Sequence, residues 1–172
     1  MQEFYQQNLR KGQMLVEALV ALSVLTVGFL GILTLLSRST ALTRVVSDNY
    51  TATYLAAEGI EIIKNLVDAN VIQKKPSWDD DFVSEQYEVD YRDYEPKKLE
   101  LFISPGRFLN LDPVSHLYSY GPPDSPTPFK RIVTVTFPNA DEMQVVSEVS
   151  WITRGDSLSK VRVEDHFYNW RP

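Results

Sequence analysis

The chain of 172 residues has no cysteine, which excludes disulfides, thiolate metal sites and a cysteine nucleophile together. Histidine is nearly missing as well: His116 and His166 are the only two, and neither stands at metal-ligand spacing from another candidate. A Gly-rich phosphate loop, a Gly-x-Ser-x-Gly elbow and a His-Glu-x-x-His pair are all lacking. The expectation is a protein that is not an enzyme, with no catalytic residues, no cofactor and no metal. Asp79, Asp80 and Asp81 invite calcium, but three adjacent aspartates lack the alternating spacing of a calcium loop and read as a solvated turn. Clusters of basic residues are absent too. The net charge is −6, which speaks against a nucleic-acid backbone as partner. Proline does not occur between Met1 and Lys75, and so nothing there breaks a helix.

What the first part of the chain does contain is a long apolar run. From Ala18 to Leu36 there is no charge, and only Ser23, Thr26 and Thr34 carry hydroxyls. As a helix this run spans roughly 28 Å, close to the ~30 Å of a bilayer core. Arg10 and Lys11 against Glu3 leave +1 on residues 1–12, so the remainder carries −7. Positive charge ahead of an apolar helix keeps that end in the cytoplasm and sends the rest outward. A cleaved secretory signal has a shorter apolar core, about 7–15 residues, followed by a small-x-small site. Here Ser37-Arg38-Ser39-Thr40 follows instead. A plain signal anchor fits the run but explains neither Gly12 nor Glu17.

Lys11-Gly12-Gln13-Met14-Leu15-Val16-Glu17, followed by the apolar run, resembles the class III signal of type IV prepilins and pseudopilins. The resemblance implies that a membrane aspartic peptidase cuts between Gly12 and Gln13, that Gln13 is then N-methylated, and that Glu17 is the fifth mature residue. Gln13 stands where phenylalanine or methionine is more usual. The implied partners are the prepilin peptidase/N-methyltransferase, other pilin subunits, an inner-membrane assembly platform and the lipid bilayer. The implied location is the cytoplasmic (inner) membrane, single-pass with the C-terminal domain outside, and then a surface pilus or a periplasmic pseudopilus.

The chemistry is coherent by itself. Gly12 has no side chain to keep a protease from the peptide bond. Cutting there creates an α-amino group one helical turn from Glu17. A carboxylate at the centre of a bilayer is unfavourable by about 2.5–3.5 kcal/mol on insertion scales. An amine on another subunit offsets part of that and fixes axial register. The other readings of Glu17 are a residue that snorkels to the interface and a chance occurrence.

Helical patterning continues past the run. Leu42, Val46, Thr53, Ala56, Ile60, Ile63 and Val67 form one apolar stripe at three-, four- and seven-residue spacing. A helix from Met14 to about Asn70, stopped by Lys75-Pro76, would be roughly 85 Å long. Its first half must lie in a bilayer or among other helices. The segment TATYLAAEGIEIIKNL, Thr51 to Leu66, resembles an Ala-Glu-Gly-Ile-Glu stretch of several minor pilins. Gly59 within it is either a close-approach position or a tolerated glycine. Gly28 and Gly31 either loosen the apolar helix, where many pilins have a proline slightly further on, or permit close helix packing.

Beyond Pro76, strands are expected at Glu85–Tyr91, Leu99–Ile103 and Arg107–Leu111, with Ser104-Pro105-Gly106 turning between the last two. Ser119 to Pro128, with four prolines, is expected to be irregular. Three clear strands follow. Phe129, Arg131, Val133, Val135 and Phe137 share one face, Met143, Val145, Ser147, Val149 and Trp151 a second, and Val161, Val163 and Phe167 a third. Pro138–Asp141 and Arg154–Ser157 turn between them. Phe167 and Trp170 are expected in the core or at an interface. The fold expected is α+β: a long N-terminal helix, membrane-spanning in its first half, whose second half covers an antiparallel sheet. The resemblance implies the same pilin-like fold. The domains are residues 1–12 (leader), 13–39 (hydrophobic membrane and assembly helix), 40–74 (soluble half of the helix) and 75–172 (sheet domain). The function implied is a minor pilin or pseudopilin of a type IV pilus or a type II secretion-like filament. Its competitor is a membrane-anchored extracytoplasmic binding module that never polymerises.

Overall fold

A computed structural model describes residues 2–96, 99–121, 125–153 and 156–169, with side chains from Met14 onward. The architecture is α+β. One helix, α1 (Gln2–Ile72), precedes seven strands: β1 (Gln86–Glu88), β2 (Glu100–Leu101), β3 (Asn110–Leu111), β4 (Tyr118–Ser119), β5 (Lys130–Asn139), β6 (Glu142–Thr153) and β7 (Ser157–Tyr168). The chain divides into two compact units, Met1–Val46 and Ser47–Pro172.

The first unit is helix alone. It has the uninterrupted, proline-free run that the sequence leads one to expect.

The second unit holds an antiparallel five-stranded sheet in the order β2-β1-β5-β6-β7, and a two-stranded ribbon of β3 and β4. Strict alternation drives β5 and β6. Phe129, Arg131, Val133 and Val135 are buried, as are Met143, Val145, Ser147, Val149 and Trp151, while their neighbours point the other way. Val161, Val163 and Phe167 of β7 are half-buried and pack at the margin of the core. The sheet face is covered by the α1 segment that begins at Ala52: Ala52, Leu55, Ala56, Ile60, Ile62, Ile63, Leu66 and Val67 are all buried. Burying one such aliphatic side chain fully contributes about 1.5–3 kcal/mol.

Several expectations are corrected. Leu42 and Val46 are exposed, and Thr53 turns outward and donates its hydroxyl to Asn49 O at 2.8 Å. The covering face keeps Ala56 but runs through Ala52 and Leu55 rather than Thr53, and Leu42 and Val46 precede the covering segment, which begins at Ala52. The helix reaches Ile72, closed by Gln73 N–H to Ala69 O and Lys75 N–H to Asn70 O. The strand expected at Glu85–Tyr91 shrinks to β1, and Tyr91 is 44% exposed. Ser104–Gly106 does turn, with Gly106 at φ 75° donating to Ile103 O, but it does not join paired strands. The segment before it contains β2, which pairs with β1, and the segment after it contains β3, which pairs with β4. Ser119 is not irregular but part of β4, and Pro126 bridges Asn110. Trp170, Arg154-Gly155 and Pro122-Pro123 lie outside the described residues.

Candidate functional site

From Met14 to Val46 every residue is exposed. Leu22, Val24, Leu25, Val27 and Leu35 are each more than 60% accessible, on all sides of the helix. The first unit therefore has no apolar core of its own. α1 is long and apolar enough to cross a membrane, with a mean hydropathy of 2.5 in its most apolar window. The three hydroxyls of the uncharged run from Ala18 to Leu36 are consumed internally. Ser23 donates to Leu19 O, Thr26 to Leu22 O and Thr34 to Leu30 O, at 2.7–2.8 Å. Such back-bonding satisfies each hydroxyl within the helix, so no dangling donor faces an apolar surrounding.

Glu17 is a carboxylate on this helix, with Leu15, Val16, Leu19 and Val20 around it. An extra Cβ on Gly28 or Gly31 meets nothing within 4 Å, so both glycines are bare notches on the surface. The helix passes through them unbroken. The expected cleavage pair, Gly12 and Gln13, lies where side chains are outside the described residues.

Gly59 is different. A Cβ there would stand 2.5 Å from Ser147 Oγ and 3.1 Å from both Arg131 Cδ and Val133 Cγ2. It is a close-approach position, and what it approaches is the inner face of β5 and β6.

Beside Gly59 sits a feature that sequence reasoning did not identify. Arg131, on β5, has a side chain with no exposure. Its Nη1 donates to Leu55 O at 2.8 Å and to Glu58 Oε2 at 2.9 Å, and its Nη2 donates to Val89 O at 2.5 Å. One guanidinium thus ties α1 to β5 and to the end of β1. The signal was present: an arginine at an inward position of a strand needs a carboxylate, and Glu58 lies in the Ala-Glu-Gly-Ile-Glu segment. Tyr120 adds a second tie by donating its hydroxyl to Arg131 O at 2.9 Å, and burial raises its phenol well above the ordinary value.

A second charged cluster organises the irregular part. Glu88 and Asp90 are buried at the end of β1. Glu88 accepts from Arg107 N at 2.7 Å and Arg107 Nε at 2.5 Å, and Arg107 also pairs with Glu100 and lies over the Tyr120 ring. Asp90 accepts from Arg92 Nη2 at 2.6 Å, from Arg92 N at 2.9 Å and from Tyr120 N at 2.9 Å. Burial pushes the Asp90 carboxyl up, but these hydrogen bonds and the Arg92 charge outweigh it and hold it below the usual range. Burial raises the neighbouring Asp93. A cavity of about 310 Å³ opens among these groups. Every oxygen of Glu88 and Asp90 is spoken for, so the cluster acts as a clasp on the loops. Lys75 pairs with Asp80 and Asp81. Among the described residues no group of three or more His, Asp or Glu could hold a metal ion.

No protein family, no curated protein and no solved structure matches this chain.

Proposed function

We propose that this chain is a structural subunit of a type IV pilus or type II secretion-like filament, a minor pilin or pseudopilin. In this reading the prepilin peptidase cuts after Gly12, Gln13 is methylated, and the helix waits in the cytoplasmic membrane until it is drawn into the filament by an assembly platform. The observation that carries it is Glu17, a lone carboxylate on a helix exposed all round with apolar side chains. Such a surface demands lipid or other helices as its surroundings. The carboxylate demands a cation, and cleavage beside Gly12 would make one on each neighbouring subunit. In the filament the Glu17 of one subunit meets the Gln13 amine of the next, while the sheet domain rides outside.

Mass spectrometry of the protein from its native membrane tests this, with a methylated Gln13 expected as first residue. An intact Met1, or a cut after residue 36, points instead to the non-polymerising anchor or to a secreted domain. Glu17→Ala leaves the cut intact and stops methylation or incorporation into sheared filaments. Normal incorporation of that variant defeats the pairing. Gly12→Val stops the cut.

A further inference from the structure

The sheet ends on one side in β2, two residues long, and on the other in β7, twelve residues long. Each residue of β7 is in register with β6 on its inner side. In an antiparallel ladder, alternate residues turn both N–H and C=O to the same side. Asn169 N–H reaches back to Asp141 O, so the odd-numbered residues of β7 face β6. Val135 N–H to Glu85 O fixes the same phase across β5. The even-numbered set, Leu158, Lys160, Arg162, Glu164, His166 and Tyr168, therefore offers its backbone groups to the open side. Among the described residues, the partner found there is the Asp165 carboxylate, which accepts His166 N–H at 2.8 Å.

We infer that a second copy of this chain adds to this edge, β7 antiparallel to β7 about a twofold axis at Val163, making one continuous sheet. The side chains select that register. Arg162 Nη2 already meets Glu164 Oε2 of its own chain at 2.9 Å. Centred on Val163, Arg162 also lies opposite Glu164 of the other copy; the symmetry makes this pair twice, so the four charges alternate in sign about the axis. The same register sets Leu158 opposite Tyr168, again twice. These two side chains are 68% and 55% exposed, and Leu158 already faces the exposed Ile152 across β6. Moving the centre by one residue sets Arg162 against itself or Glu164 against itself. Like charges directly opposite are destabilising. The remaining pair of the even-numbered set, Lys160 with His166, is buffered, because Lys160 holds Glu148 at 3.2 Å and His166 holds Glu142 at 2.7 Å and Glu164 at 3.3 Å. Charged residues commonly guard an edge strand against pairing. Here both signs are placed symmetrically about one point, which admits a copy and repels an unmatched strand. The contact belongs to the sheet unit and does not rest on the filament reading.

The absence of cysteine makes a direct test possible in the full-length chain in detergent. Arg162→Cys and Glu164→Cys chains are mixed and oxidised. Directly opposite residues of a hydrogen-bonded pair have Cα atoms about 5.5 Å apart, within disulfide reach. The mixed disulfide is expected to exceed either same-residue dimer and a Ser115→Cys control. In sedimentation equilibrium, Arg162→Glu or Glu164→Arg alone is expected to weaken the dimer roughly tenfold or more. The double reversal, Arg162→Glu with Glu164→Arg, restores it, which separates a charge effect from misfolding. A mixed disulfide no stronger than the same-residue ones, single reversals without effect, or a double reversal that stays monomeric overturns the register.

Discussion

Leu22 and Leu55 lie on the same helix, yet the first is 64% exposed and the second 3%. The difference is not propensity, since both stretches are helical and free of proline. Around Leu22 apolar side chains occupy every face, and among the described residues nothing covers them. Around Leu55 they occupy one face, and alternating strands more than seventy residues later cover it. An apolar stripe names a partner inside the molecule, whereas an apolar cylinder names one outside it. Polar residues differ in the same sense. Glu58 of the second region has Arg131 at 2.9 Å, while Glu17 of the first stands on the exposed stretch among apolar residues.

The sharpest way to break this comparison is at the arginine. Arg131→Ala removes the donor from Leu55 O, Val89 O and Glu58. Breaking a buried pair typically destabilises by about 3–5 kcal/mol, and the lower end is expected because Glu58 retains 31% exposure. Arg38→Ala, on the exposed part of the helix, should stay within about 0.5 kcal/mol. Denaturant melts of the sheet unit, followed by Trp151 fluorescence, separate the two. Equal effects would show that Arg131 is not the clamp described.

A smaller contrast lies in the glycines. Gly59→Ala forces a methyl against Ser147, Arg131 and Val133, and overpacking of this kind destabilises by about 1–3 kcal/mol. Gly28→Ala and Gly31→Ala meet open space and should raise local helix stability by up to about 1 kcal/mol in the isolated subunit. If those two substitutions lower filament yield while leaving the subunit sound, they mark close helix packing in the assembly.

The smallest effect is expected at His166. Hydrogen bonds to Glu142 and then Glu164 raise its pKa above the ordinary 6.5. A raised folded value means that its contribution is fully present below about pH 6.5 and is lost as pH rises through the folded pKa. An NMR titration of the ring should place it above 6.5, and Glu142→Gln should bring it down. An unshifted ring in the wild type would remove the ion pair from the account.

Much of the sheet could be read from alternation alone. Phe129 to Val135 and Met143 to Trp151 face inward as their period requires, because one buried face leaves no freedom of register. The helix face was legible at Ala56, Ile60, Ile63 and Val67 but not at Ala52, a small residue with little hydrophobic signal, nor at Leu55, which lies off the stripe that the seven-residue spacing picks out. The segment from Asp90 to Tyr120 was largely illegible. Its order comes from side chains bonding distant backbone, such as Asp90 to Tyr120 N and Thr127 to Leu109 O, and no local period records those. Of the candidate residues, Gly59 found its reason within the fold. Glu17, Gly28 and Gly31 all stand on the exposed stretch, and an added Cβ on either glycine meets nothing within 4 Å.

The bond from Arg131 to Leu55 O spans 76 positions of the chain. A ribosome completes the helix long before it reaches β5, so the helix segment starting at Ala52 must wait bare through the synthesis of everything between. If the amino end has by then entered the membrane, the late strands close onto a tethered template, and the last forty residues decide when the newborn chain stops being a target for chaperones.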